Sequence, residues 1–461
     1  MRRGAGIALL LMVAAADAAW AQPAVQQSFD AAAVARDARN WPEALRLLEA
    51  IETRTRNPRT LAVIRVRKGT VLVELGRLEE AAAAIRQGLP GLSAGDATLN
   101  LDRFLGLSSL GRIAEHDLDY AEALRHYRLA AAIPVADTER LAVQRGIVQT
   151  GMFTDAAGAL READLALRLA AAAGLEDRPV TGELHALRGR VLLNLSRFAE
   201  ARRELQLAQR LLGGMTLRVD RADLVARSDL ALAALLDRAP DDARRYLAYT
   251  GAGRLERGRF MLNPDSPLPS CGPTLAPDDV AVLEMIVAQD GRVVDVKPVY
   301  ASRQGPGAVQ FARAARGWSF DAASVRDVQP LFRTAVRIEV RCSQHPEPAP
   351  ARDDEGSAMP GIVPVRCDPG PRRRRFSASA RDFPNETVSW GFEGWAVGEL
   401  TVGRDGRVAQ SRTVIAYPPF VFGASALRIV DRSIYEAVDA SDNRPCFAGR
   451  QRVSFRLPDS N

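Results

Sequence analysis

EGWAVGELTVGRDGRVAQ, Glu393–Gln410, alternates apolar and polar residues into Asp405-Gly406 and out again. That is the mark of a β-hairpin with a tight turn. The chain writes it twice: VAVLEMIVAQDGRVVDV, Val280–Val296, carries the same Asp-Gly-Arg-Val run at Asp290–Val293. Working outward, each hairpin is followed by a helical pattern and a further strand. The first copy predicts strands over 280–288 and 293–301, a helix over 306–317 and a strand over 332–342. The second predicts strands over 395–403 and 408–416, a helix over 423–437 and a strand over 451–457. With the two turn glycines superposed, Phe320 falls on Tyr435 and the final strands coincide. Two tandem copies of one small ββαβ domain account for this pattern.

Upstream of the hairpins the composition changes to Ala, Leu, Arg and Glu at helical spacing. One phrase recurs: WPEALRLLEAI at Trp41, LEEAAAAIRQG at Leu78, YAEALRHYRLA at Tyr120, FTDAAGALREA at Phe153, FAEARRELQLA at Phe198 and a looser PDDARRYLAYT at Pro240. A repeated helical phrase at such intervals reads as stacked helical hairpins. Gly69, Leu72, Ala81, Ile85 and Gly88 in one copy, and Gly189, Leu192, Ala201, Leu205 and Ala208 in another, alternate small and large packing residues. A small residue lets two antiparallel helices approach while the large one fills the adjoining groove. The phrases lie unevenly along the chain, which argues against a strict superhelix. His116, His126 and His185 stand apart in this region with no nearby thiol, and read as helix-surface residues, not metal ligands.

At 461 residues the chain has room for several cores. Its net charge of +6 rests almost wholly on arginine, since lysine occurs only at Lys68 and Lys297. The arginines interleave with Asp and Glu, a mixed-charge surface in place of a phosphate-binding face, so no nucleic-acid partner is expected. Arg2 and Arg3 precede an apolar run to about Ala16 and the small residues of AWAQ, Ala19–Gln22. That pattern reads as a secretory signal peptide cleaved near Ala21. An uncleaved leader would instead serve as an inner-membrane anchor. Export makes the four cysteines readable as disulfides: Cys271 and Cys342 bracket the first hairpin region, Cys367 and Cys446 the second. Four cysteines allow three connectivities, of which one bridge per copy is the simplest.

The second hairpin copy resembles the C-terminal domain of the TonB family, periplasmic proteins that link the inner membrane to outer-membrane receptors. The family's Tyr-Pro opener stands here as Phe383-Pro384 and its Glu-Gly before the first strand as Glu393-Gly394. Its Asp-Gly-Arg-Val turn is Asp405–Val408, its Pro after the second strand Pro418, and the aromatics that open and close its helix Phe422 and Tyr435. The first copy keeps the turn and has RGWSF, Arg316–Phe320, but no opener. The helical phrases resemble the second helix of tetratricopeptide repeats. In the TonB-type family the last strand pairs with a short receptor segment by β-augmentation. The equivalent here is RQRVSFRL, Arg450–Leu457, so the resemblance assigns partner contact to Phe383, Pro384, Arg450, Gln451, Arg452, Val453, Ser454 and Phe455. Its arginines fit a guarded edge and a peptide-accepting edge equally.

The expected organisation is therefore multidomain, α followed by α+β. It comprises a signal peptide (1–21), an all-α helical-hairpin solenoid (28–258), a Pro-rich linker (259–279), a divergent ββαβ domain (280–343), a Pro/Arg-rich linker (344–375) and a second ββαβ domain (376–461). The expected role is that of a non-enzymatic adaptor in the periplasm of a Gram-negative bacterium, without cofactor. Its partners would be proteins or extended peptides, such as an outer-membrane receptor or another envelope protein, or peptidoglycan. The alternative is a membrane-anchored TonB-type energy transducer. No GxSxG, P-loop or zinc spacing points to an enzyme.

Overall fold

The computed structural model describes residues 26–176, 178–251, 260–264, 266–344, 373–376, 378–383, 392–437 and 447–457. The leader, Cys367, Pro384 and Cys446 lie outside these residues. The chain divides into two compact units, before and after the Thr150–Gly151 bond. Helices come first and an antiparallel sheet with its own helices follows.

The first unit is built of α1 (26–37), α2 (Trp41–Arg54), α3 (Pro58–Glu74), α4 (Leu78–Gly88), α5 (Asn100–His116) and α6 (Tyr120–Ala131), and is closed by α7 (Asp137–Gly151). Side chains placed at the helix starts satisfy N–H groups that no helical carbonyl reaches: Asn40 caps α2, Asn57 caps α3 with Pro58 beside it, and Asp119 caps α6. One turn recurs. Arg39, Gly76 and Leu118 have φ of 56°, 73° and 58°. The next residue's N–H then reaches back five positions, from Asn40 to Ala35, Arg77 to Leu72 and Asp119 to Ala114. This left-handed helix end folds each pair into an antiparallel hairpin. Close approach inside the α3–α4 hairpin depends on Gly69, where any Cβ would collide with Ile85. Ile85 is fully buried in a core with Leu72, Ala81 and Leu48. Of the three histidines expected at the helix surface, His126 departs: it is buried at 6 % exposure on α6, 3.0 Å from Glu122.

The second unit opens with α8 (Ala156–Ala172), α9 (Pro179–Asn194), α10 (Phe198–Leu211), α11 (Arg221–Leu236) and α12 (Pro240–Thr250). The same turn joins α9 to α10 at Ser196 and α11 to α12 at Arg238, with φ of 57° and 58°. A Cβ at Gly189 would lie 2.6 Å from Leu205, repeating the notch. The recurrent phrases thus form or open the even-numbered helices α2 to α12.

The sheet of this unit differs from two separate domains. Strands β1 (Val280–Val287), β2 (Val293–Ala301), β3 (Val336–Arg341), β5 (Gly394–Val402), β6 (Val408–Tyr417) and β8 (Phe447–Phe455) form one six-stranded antiparallel sheet in the order β2-β1-β3-β6-β5-β8. β4 (Arg373–Arg375) and β7 (Ile434–Tyr435) pair separately. The Arg run expected to be a linker therefore contributes a strand, and the helix expected to reach residue 437 ends sooner. Helix α13 (Gly307–Ala315) packs on β1 and β2, and short helices α14 (Ala322–Val325) and α15 (Pro330–Arg333) precede β3. Helix α16 (Gly423–Asp431) packs on β5, β6 and β8.

The two halves repeat each other in detail. Each first strand steps out of register at matching places, Val282/Leu283 and Val397/Gly398, then Ile286/Val287 and Thr401/Val402. Each turn aspartate accepts from the arginine N–H two residues on, at 3.0 Å. The carbonyls of Gly291 and Gly406 each accept a 2.8 Å hydrogen bond, from the N–H of Phe320 and of Tyr435. Val280, Val282 and Tyr300 meet the apolar faces of α11 and α12 in one core. Alternation turns Leu283 and Met285 to the opposite face, so β1 is covered on both sides.

Candidate functional site

A sheet edge presents unpaired N–H and C=O groups, and each edge of this sheet is treated differently. The outer edge of β2 is occupied by a side chain. Asn194, the last residue of α9, accepts from Ala301 N–H at 2.9 Å and donates to Val299 carbonyl oxygen at 3.0 Å. A primary amide has the donor and acceptor of a peptide group, so Asn194 pairs as one residue of a neighbouring strand would. Just beyond, Gln304 bonds to Ala156 N–H and to the Met152 and Asn194 carbonyls, and Gly305 N–H donates to Phe153 carbonyl oxygen at 2.7 Å.

The edge of β3 is taken by the other half. Glu339 stands opposite Ala416 and Val340 opposite Ile415. The seam is short, and side chains reinforce it. Buried Glu399 accepts from Ser343 Oγ at 2.5 Å and Gln344 N–H at 3.1 Å, while Arg412 donates to Cys342 carbonyl oxygen at 2.7 Å. Phe420 N–H donates to Glu339 at 2.8 Å. The Cys271–Cys342 disulfide sits at this corner. Its closed loop of 71 residues corresponds to about 4 kcal/mol in the chain-entropy model. The residues expected to be a free Pro-rich linker are strapped down as well: Ser270 bridges to Ser343 and Leu262 to Phe320.

Among the described residues β8 pairs with β5 alone and ends the sheet. It spans Phe447–Phe455 in place of the expected 451–457, and Leu457 N–H instead donates to the Glu393 carboxylate at 2.9 Å. Its side chains divide by face. Val453 and Phe455 are buried in the core under α16, and Phe383 joins them there, with ring centroids 5.8 Å from Phe455 and 6.1 Å from Phe422. Phe383 is thus half-buried, packed against the core of the second half. On the other face Arg452 donates to the Leu262 carbonyl and lies over the Trp395 ring at 5.4 Å, and Arg450 reaches Ser266 carbonyl oxygen at 3.5 Å. Burial lowers the Arg452 pKa. Gln451 folds back on the Arg452 carbonyl at 2.8 Å, which leaves Ser454 as the exposed member of the assigned set.

Behind β1 and β3 lies a buried ionic cluster with no forewarning in the local sequence. Arg337 binds Asp229 at 2.7 Å and Glu284 at 2.8 Å; Arg190 binds Asp229 at 2.8 Å, and Lys297 approaches Glu284 at 3.4 Å. Burial alone would raise the Glu284 pKa, but Lys297, Arg337 and Arg190 outweigh it and hold the carboxyl below its ordinary range. Glu284 and Lys297 are the counterparts of Glu399 and Arg412: both stand opposite each other across the hairpin. One position in each half thus ties the sheet to a neighbour, in the first half to α9 and α11 and in the second to the seam.

The chain matches no protein-family model and no curated protein. An apolar cavity of about 50 Å³ lies between α11, α12 and strands β1 and β3. Its polar side chains are engaged within the protein, Ser228 with Leu224, Thr250 with Leu247 and Arg337 with the ionic cluster. Among the described residues no group of His, Cys, Asp and Glu is placed to hold a metal ion, and no helix is long and apolar enough to cross a membrane.

Proposed function

We propose that this protein is a non-enzymatic adaptor of the cell envelope, exported to the periplasm, whose TonB-like sheet receives an extended segment of an envelope protein or outer-membrane receptor along β8. The observation that carries this reading is the unequal treatment of the edges. β2 is met by Asn194 and β3 by β6, while β8 has β5 on one side and no strand on the other among the described residues. An added strand on β8 would gain main-chain hydrogen bonds with little demand on side chains. The repeated turn and glycine notch support a tetratricopeptide-like reading of the helices, as a scaffold for a second partner. Export rests on the leader pattern, and the Cys271–Cys342 bridge fits an oxidising compartment.

Hydrogen exchange tests the edge. A synthetic peptide of the periplasm-exposed N-terminal segment of an outer-membrane receptor, added to the full chain, is expected to slow exchange within residues 447–455. Protection elsewhere with none in β8 would reject edge pairing.

A further inference from the structure

The last helical hairpin carries a groove that the sheet edge does not use. Its walls are α10, α12 and the loop from α10 to α11, its floor includes Leu230, and it encloses about 380 Å³. Two of these walls, α12 and the loop, are joined by one side chain. Arg227, with no exposed surface, donates to Tyr249 carbonyl oxygen on α12 at 2.8 Å and to Gly214 carbonyl oxygen on the loop at 3.2 Å. This clamp ties the loop to α12, which lowers the cost a ligand would meet in ordering that side of the groove.

Its lining mixes apolar surface with positive charge. The clamped loop turns Met215 and Leu217 outward, at 36 % and 97 % exposure, and Tyr249 stands exposed on the facing helix. Exposed apolar side chains gathered beside a groove mark a contact surface. The Arg210 side chain, exposed on the lining, makes no ion pair or hydrogen bond among the described residues. Arg245 lies over the Tyr246 ring at 5.6 Å and shares Asp242 at 2.8 Å. At the floor, Gln209 spends its amide nitrogen on Gly214 carbonyl oxygen at 2.7 Å, and its Oε1 has no partner among the described residues.

We infer that this groove binds a short acidic segment of a partner protein, with a carboxylate on Arg210 and Arg245 and an aliphatic side chain against Met215, Leu230 and Tyr249. Charge complementarity selects that occupant: a basic segment would meet the same two guanidinium groups and be repelled. The inference deepens the reading of the helices as a partner scaffold and is independent of the β8 edge.

Fluorescence anisotropy on the full chain tests it, with a labelled, end-capped peptide of alternating aspartate and leucine and a control with lysine for aspartate. The acidic peptide is expected to bind, more weakly as salt rises, and about tenfold more weakly to Arg210→Glu, the scale of one lost charge-assisted hydrogen bond. Met215→Ser, also at an exposed position, is expected to weaken it, and Ser454→Pro on β8 to leave it unchanged. Circular dichroism checks that each variant is folded. Equal binding to wild type and Arg210→Glu, equal binding of the lysine peptide, or no binding of the acidic peptide would overturn the inference. Loss of binding in Ser454→Pro with none in Arg210→Glu would overturn the groove and leave the β8 edge standing.

Discussion

Asn194 and Ala301 meet at 2.9 Å, side-chain oxygen to backbone N–H, at the point where the helices take hold of the sheet. Replacing Asn194 by alanine strands that N–H and the Val299 carbonyl in a buried place. The expected cost is about 1–3 kcal/mol for the groups left unsatisfied. Asn194→Asp keeps the acceptor for Ala301 and loses the donor to the Val299 and Arg190 carbonyls. Urea unfolding followed on the second unit, together with amide exchange at Ala301, checks both variants.

The two turn glycines make a paired prediction. Gly291 and Gly406 have φ of 88° and 77°, and a Cβ on either would collide with the carbonyl oxygen of Phe320 or of Tyr435. Alanine at either position is expected to destabilise by at least about 1–2 kcal/mol, from the left-handed backbone alone. Gly291→Ala should loosen the sheet next to α13 and Gly406→Ala the half that carries β8. Exchange rates measured segment by segment would separate the two; a uniform response would contradict the local account.

Acid should act through Glu284. Its folded pKa lies below the unfolded value, so its contribution is fully present above the unfolded pKa of about 4.3 and is lost as pH falls through the folded one. Glu284→Gln is expected to flatten stability against pH below about 4 and to cost about 3–5 kcal/mol at neutral pH, the range for breaking a buried ion pair. Denaturant titrations across acidic to neutral pH provide the check.

Stabilisation is expected at the helix turns. Arg238 is exposed and holds φ of 58°, a conformation that suits glycine better than arginine. Arg238→Gly should raise stability by about 0.5–1 kcal/mol, with Ser196→Gly behaving alike, because relief of the left-handed strain exceeds the added freedom of the unfolded chain. Thermal melts of the two single variants and their combination would read this directly.

Much of the helical region was legible because each recurring phrase contains its own instructions. The small residues at Gly69 and Gly189 make the notch, and the acidic residues after each opener suit a helix start. The hairpins were legible from Asp-Gly between alternating runs. The seam between β3 and β6 was not. It rests on the pairs Glu339 with Ala416 and Val340 with Ile415, and on Ser343 reaching Glu399, contacts whose partners lie far apart in sequence and follow no local period. The same holds for Arg337, which looks like one more polar strand position until Asp229 and Glu284 surround it. Phe383 was legible as an aromatic of consequence, but its packing against the core came only with Phe422 and Phe455 beside it. The groove clamp was hidden too, since Arg227 resembles every other helical arginine until Gly214 and Tyr249 close over it.

The order of the strands has a bearing on how the molecule acquires its shape. The helices that offer Asn194 precede β2 in the chain, so that edge finds its cover as soon as it forms. β3 has no such provision: its neighbour β6 belongs to the second half, and the edge stands bare until that half arrives. Pairings between distant segments are slow to form and open to intermolecular error in the interval. The step at which this chain is most exposed to aggregation is therefore the joining of β3 to β6, and a chain cut between the two halves would remain at that step.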